Sequence, residues 1–288
     1  MASLWETIED APLYGEHLLL GGTFAGDDQL LAMPTHYGDP SSERPSFSEG
    51  CALVDLSGMA AMLVSGPGAD SFVHACCAQA PLSVGECGFG AIVTGDGSIA
   101  SVPLVARTGD AEYLLWDPLE RGLMLQPWLG FLAAIEQDGF RPYEGVNVED
   151  VSDSLVPLLL WGPQATAVLG DYVRDLSCLP APGTVANVTL DRIETLVASL
   201  PGLDVPSFLL LVPPRAARVL WRSLLSFPIV TPVGSASLSS HARHAYPWVG
   251  HAQLDGRLEL AFEQLVEWEL ARAEADFIGA RALLRDIG

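Results

Sequence analysis

The sequence contains no lysine: all 14 of its basic residues are arginine. A P-loop needs a lysine on the nucleotide phosphates, and a Schiff base needs a lysine amine, so both chemistries are excluded. Positive charge is scarce altogether. Against 36 acidic residues it leaves a formal net charge of −22, which opposes nucleic acid or an anionic membrane as a partner. Long apolar runs are missing too. None approaches the roughly 18 residues of a bilayer span, so no membrane partner is expected. The N-terminus, Met1 to Asp10, is acidic and has no basic-then-apolar leader, which predicts a cytoplasmic protein. The five cysteines, Cys51, Cys76, Cys77, Cys87 and Cys178, are odd in number and form no C-x-x-C. That argues against a disulfide framework and predicts that Cys76 and Cys77 are buried thiols.

What the chain has is apolar content and repetition. Hydrophobic residues make up 49% of 288, enough for a large core in one or two domains. Ala52 to Val73 reads as strand, tight turn at Ser57-Gly58, strand, Gly66-Pro67 turn and helix start. The same order returns roughly a hundred residues on, a spacing too wide for a solenoid. Asp150-Val151-Ser152 repeats Asp55-Leu56-Ser57, Leu155 to Trp161 repeats the apolar strand, and Gly162-Pro163 leads into a helix from Gln164. The repetition predicts two similar α+β lobes, at about 1–145 and 146–288, in a single domain.

Other elements follow in order. Leu4, Trp5 and Ile8 suggest a first helix, and Asp39 to Gly50 a polar surface loop. Phe89 to Val93 and Ser98 to Val105 read as strands joined by a hairpin at Asp96-Gly97. Tyr113 to Trp116 is a strand, and Leu119 to Gln137 has helical apolar spacing. Phe208 to Val212 reads as a fully buried strand and Arg215 to Leu225 as an amphipathic helix. His241 to Gly250 reads as irregular, and Leu258 to Ala271 as apolar and acidic. His241, His244 and His251 fall close together, but without the spacing of a metal motif, and no metal site is expected.

Five segments in order resemble the aminomethyltransferase family, the folate-dependent T-protein of glycine cleavage. They are Pro12-Leu13-Tyr14, Met33 to Gly38, Val54 to Met59, Gly97-Ser98-Ile99, and Asp276 to Gly279 with Arg281-Ala282-Leu283. The resemblance implies an α+β body of duplicated lobes, with antiparallel or mixed sheets and helices around a central cavity for tetrahydrofolate. It implies transfer of a one-carbon unit between an amine donor and the cofactor. It places Met59, Phe89, Ser101, Asp204 and Arg243 around that cofactor.

The sequence also departs from the family pattern. The family carries its key carboxylates just after the hairpin, where this chain has Ala100 and Ser101. A hydroxyl cannot replace a carboxylate in acid–base work at neutral pH. Asp96, on the hairpin, is the nearest replacement in sequence. A second acid, which reads the pterin, is matched only by Asp204, and the family's arginine by Arg243, an anchor for an anionic tail. The chain stops at Gly288, ten residues beyond Ile278, where the family continues into a small β-barrel. The barrel is expected to be absent or supplied by a partner chain. Two readings stand: a folate-dependent transferase with a degenerate catalytic site, or a non-catalytic subunit or binding module of the same fold. The missing acids and the strong negative charge, poorly suited to a folate polyanion, favour the second.

Overall fold

The computed structural model describes residues 8–24, 32–117, 122–251 and 260–285. Leu4, Trp5, residues 119–121 of the expected helix and the start of the stretch from Leu258 lie outside the described residues. The chain forms two compact units: residues 1–58 with 152–245, and residues 59–151 with 246–288. It changes unit after Gly58, Val151 and Ala245, so the first two crossings lie in or just after the Asp-x-Ser segments. Both units are α+β.

The first unit is built on a six-stranded sheet. Its order is Val185–Leu190, Ile193–Ser199, Ser207–Val212, Val156–Trp161, Cys51–Asp55 and Val230–Pro232. All pairs are antiparallel except the last, which is parallel. The three central strands are buried on both faces and are apolar apart from the terminal Asp55 and Ser207. Alternation sorts them: Leu53, Leu158, Leu160, Phe208 and Leu210 pack in one core, with helix residues Ala217, Leu220, Trp221 and Leu224. The spacing of those helix residues puts them on one stripe of Pro214–Leu224, as the sequence predicts.

The second unit has an antiparallel five-stranded sheet. Its order is Asn147–Asp150, Ala61–Ser65, Glu112–Trp116, Leu104–Gly109 and Cys87–Phe89. Phe72, Val73 and Cys76 of helix Ala69–Cys76 pack on it, with Leu125, Leu129 and Leu132 of helix Gly122–Ala133. The expected single strand Phe89 to Val93 is broken after Gly90, where the Ala91 N–H donates to Leu270 O (2.9 Å). Ile92–Val93 instead pairs with Ile99–Ser101 in a separate two-stranded sheet. Pro103, with no N–H of its own, falls where the expected strand Ser98 to Val105 divides.

The repeated strand–Gly-Pro–helix segment occurs once in each unit. Gly66 (φ 110°) links Ala61–Ser65 to its helix, and Gly162 (φ 144°) links Val156–Trp161 to helix Ala165–Gly170. A Cβ at residue 66 would fall 2.2 Å from Gly145 O, and one at residue 162 would fall 2.6 Å from Gly50 O. Both the backbone angle and the close approach require glycine.

Two expectations are corrected. Asp39 to Gly50 is not a surface loop but two short helices, Pro40–Glu43 and Pro45–Ser48, with Glu43, Ser46 and Phe47 buried. His241 to Gly250 is not irregular: helix Ser235–Ala245 covers its first half and a 3-10 helix, Pro247–His251, its second. Cys76 and Cys77 are buried as expected, and burial pushes the Cys77 thiol up to about 12. Among the described residues no helix is long and apolar enough to cross a membrane.

Candidate functional site

Each unit buries a polar cluster. In the first, three of the sequence segments converge. Leu13 is buried at the start of helix Tyr14–Leu19, which directs His17 inward. His17 Nε2 meets Asp55 Oδ2 at 2.9 Å, and Tyr37 Oη meets His17 Nδ1 at 2.7 Å. The Nε2–H tautomer satisfies both bonds, donating to Asp55 and accepting from the Tyr37 hydroxyl. Asp55 Oδ1 accepts from the backbone N–H (2.9 Å) and hydroxyl (2.6 Å) of Ser57. Glu43 adds a further tie, accepting from the N–H of Tyr37 (2.6 Å) and of Gly234 (3.3 Å). Burial, then Asp55 and Glu43, raises the Tyr37 phenol above its ordinary value. His17 is fully buried, packs edge-on to Trp221, and has both ring nitrogens hydrogen-bonded inside the cluster. It joins segments of the fold.

The second unit's cluster lies at one end of its sheet. Strand register puts Ala61, Trp116, Leu104 and Phe89 in one row across four strands. Just past that row, the Asp117 N–H donates to Ala60 O (3.2 Å), next to Met59. The Ser101 hydroxyl donates to Asp117 Oδ2 at 2.8 Å. Met59, Phe89 and Ser101, all buried, are therefore gathered at one end of this sheet. Phe89 packs against Tyr246 (5.0 Å between ring centroids) and Trp248 (5.4 Å). Gln79 presses on Gly90, where a Cβ would fall 1.8 Å from Gln79 Oε1. Gln79 Oε1 and Trp248 Nε1 are buried and find no hydrogen-bond partner among the described residues. Trp128 Nε1 and, in the first unit, Trp221 Nε1 are buried in the same way, so it is nearness to the Phe89–Gly90 turn and its rings that sets these two apart.

The remaining sequence candidates are placed differently. Ala100 belongs to the apolar core of the second unit. Asp96 is exposed, and its carboxylate accepts from the Thr94 hydroxyl and the Ser98 N–H (3.1 Å). Those bonds, Thr94 first, hold its carboxyl below the usual range. Asp204 and Arg243 are exposed and belong to the first unit. His241 stacks on Phe47 at 4.1 Å, and burial, then His244, lowers its pKa. The His244 ring donates from Nδ1 to Ser240 O at 2.7 Å. The side chain of His251 lies outside the described residues. Asp117 was missed from the sequence. Its signal there is an acid closing the apolar strand Tyr113 to Trp116.

The C-terminal segment explains another part of the pattern. Arg272, 7% exposed, donates to the carbonyls of Cys77 (2.8 Å), Gln79 (3.0 Å), His74 (2.7 Å) and Asp276 (3.1 Å), and to the Asp276 carboxylate. It fastens the Asp276-Phe277-Ile278-Gly279 segment to the end of helix Ala69–Cys76, next to Gln79.

The model of one protein family, the GCVT N-terminal domain, matches residues 14–244. The chain belongs to this family. It is similar to the aminomethyltransferase of Streptomyces avermitilis, 28% identical over 284 residues, covering 93% of this chain and 71% of that protein. It is also similar to the aminomethyltransferase of Chlorobium limicola, 23% identical over 261 residues, covering 87% of this chain and 68% of that one. Among solved structures, the glycine cleavage system aminomethyltransferase T from Bartonella henselae superposes with a TM-score of 0.72 at 22% identity. The match covers 96% of this chain and 74% of that one, so the fold is that of the T-protein.

Proposed function

We propose that this GCVT-family chain binds tetrahydrofolate and serves in aminomethyl or related one-carbon transfer, at the Met59–Phe89–Ser101 end of the second unit's sheet. One observation carries this. A buried acceptor, Gln79 Oε1 against Gly90, and a buried donor, Trp248 Nε1 on the ring that packs on Phe89, find no hydrogen-bond partner among the described residues. A flat heterocycle with N–H donors and ring acceptors on its edge, such as a pterin, supplies what both atoms need, and the Phe89–Tyr246–Trp248 rings suit its faces. The residues present therefore fit the group. When bound, the cofactor supplies the nitrogen that carries the one-carbon unit. The chain's own groups hold it, exclude water and offer polar contacts.

A second reading is a folate-binding module without turnover. Its support is Ala100 and Ser101, an apolar and a hydroxyl residue where the resemblance implies carboxylates, with Asp96 bound into its own turn.

The test is a titration of the protein with tetrahydrofolate, followed by tryptophan fluorescence, then assay with aminomethyl donors. Saturable micromolar binding with turnover is the expected result. Binding without turnover selects the second reading. No binding up to millimolar ligand overturns both.

A further inference from the structure

We propose that Asp117 is the carboxylate of the one-carbon transfer site and that Ser101 positions it. This rests on the folate reading above. Ser101 alone cannot exchange a proton at neutral pH, but its hydroxyl is hydrogen-bonded to a side chain that can. Asp117 is 2% exposed and follows the last residue of strand Glu112–Trp116. Its backbone is tied to Ala60 and its side chain to Ser101, so it lies between the Met59–Ala60 turn and the Ile99–Ser101 strand. A buried carboxylate is destabilising unless hydrogen bonds or charges compensate it. Asp117 directly follows Trp116, in the strand row that also holds Phe89 two strands away, and a buried acid at that end is a candidate functional group.

The second unit shows what a purely structural buried charge looks like. Arg272 directs its guanidinium at backbone carbonyls and Asp276, joining three segments. The Ser101 bond has another character. A hydroxyl donating to a carboxylate favours its charged form and fixes its orientation. Asp117 would accept a hydrogen bond or a proton from an N–H of the bound pterin or the amine donor, and Ser101 would hold it in register for that contact. The hairpin acid, Asp96, is exposed and committed to Thr94 and Ser98. On this assignment the acid stands not beside Ala100 but at the end of strand Glu112–Trp116, in the other sheet.

The experiment compares wild type, Asp117→Asn, Ser101→Ala and Ser101→Thr in thermal melts, tetrahydrofolate titration and aminomethyl-transfer assays. Asp117→Asn is expected to melt at or above the wild-type temperature, since it removes a buried charge. It is expected to bind tetrahydrofolate at least about tenfold more weakly, and to lower kcat by about 100-fold or more. Ser101→Ala is expected to lower kcat by about tenfold with KM little changed, and Ser101→Thr to restore it. If Asp117→Asn does not fold, the exchange Ser101→Asp with Asp117→Ser replaces it, and activity within about tenfold of wild type is then expected. Wild-type binding that Asp117→Asn retains, with an unchanged rate, overturns this assignment and leaves the folate reading standing. So does a rate that the exchange variant fails to recover. No wild-type binding overturns both.

Discussion

Asp55 and Asp117 are both acids buried at the end of a strand, one in each unit, and different side chains hold them. Asp55 is gripped on both oxygens, by His17 on one and by Ser57 twice on the other. His17 is fixed in turn by Tyr37 and Trp221. Those contacts join the first helix, the Tyr37 strand and the central sheet, so the charge is part of what closes the first unit. Asp117 accepts from the Ser101 hydroxyl at the sheet end that gathers Met59 and Phe89. Under the assignment proposed for Asp117, the comparison sets a carboxylate that ties segments together against one kept for something that binds.

Three measurements break or sharpen that contrast. The largest effect is expected at Arg272, the second unit's own tie. Arg272→Met should lose about 3–5 kcal/mol in urea unfolding, because it strands the buried carbonyls that its guanidinium holds. A loss under about 1 kcal/mol would remove Arg272 as the model of a structural charge. Tyr37→Phe should lose about 1 kcal/mol, the bond to His17. The smallest effect concerns Glu16, whose carboxyl is held below the usual range chiefly by hydrogen bonds from Arg222. Its folded value lies below the ordinary 4.5, so its contribution is present above that pH and fades as pH falls through the folded value. Arg222 is 60% exposed, so solvent screens the pair. Arg222→Ala should slightly reduce the stability lost between neutral pH and the acid side, read from urea midpoints. An unchanged pH dependence would mean that the pair contributes nothing.

Much of the fold is legible in the sequence because local rules and packing agree. The apolar run Phe208 to Val212 becomes a fully buried strand, and the spacing in Arg215 to Leu225 becomes a helix with one buried stripe. The repeated Gly-Pro turns were readable because glycine alone tolerates the backbone at residues 66 and 162. The T-protein resemblance, carried by short segments in order, is confirmed by the family match and the superposition. What local sequence hides is partnership at long range. Asp39 to Gly50 reads as a polar loop, yet Glu43 is buried because one of its donors, Gly234, lies 191 residues away. Asp117 escaped notice for the same reason. Nothing near it in sequence announces Ser101, which lies 16 residues away on a strand of the other sheet.

The central claim is that these two acids do different work, and paired thermal melts of Asp55→Asn and Asp117→Asn, with and without tetrahydrofolate, test it most directly. Asp55→Asn should lower the melting temperature, by about 2 kcal/mol of stability, and still be raised by ligand. Asp117→Asn should melt no lower than wild type and lose most of the ligand-induced rise. An Asp117→Asn protein that is as destabilised as Asp55→Asn and still stabilised fully by tetrahydrofolate would contradict the account.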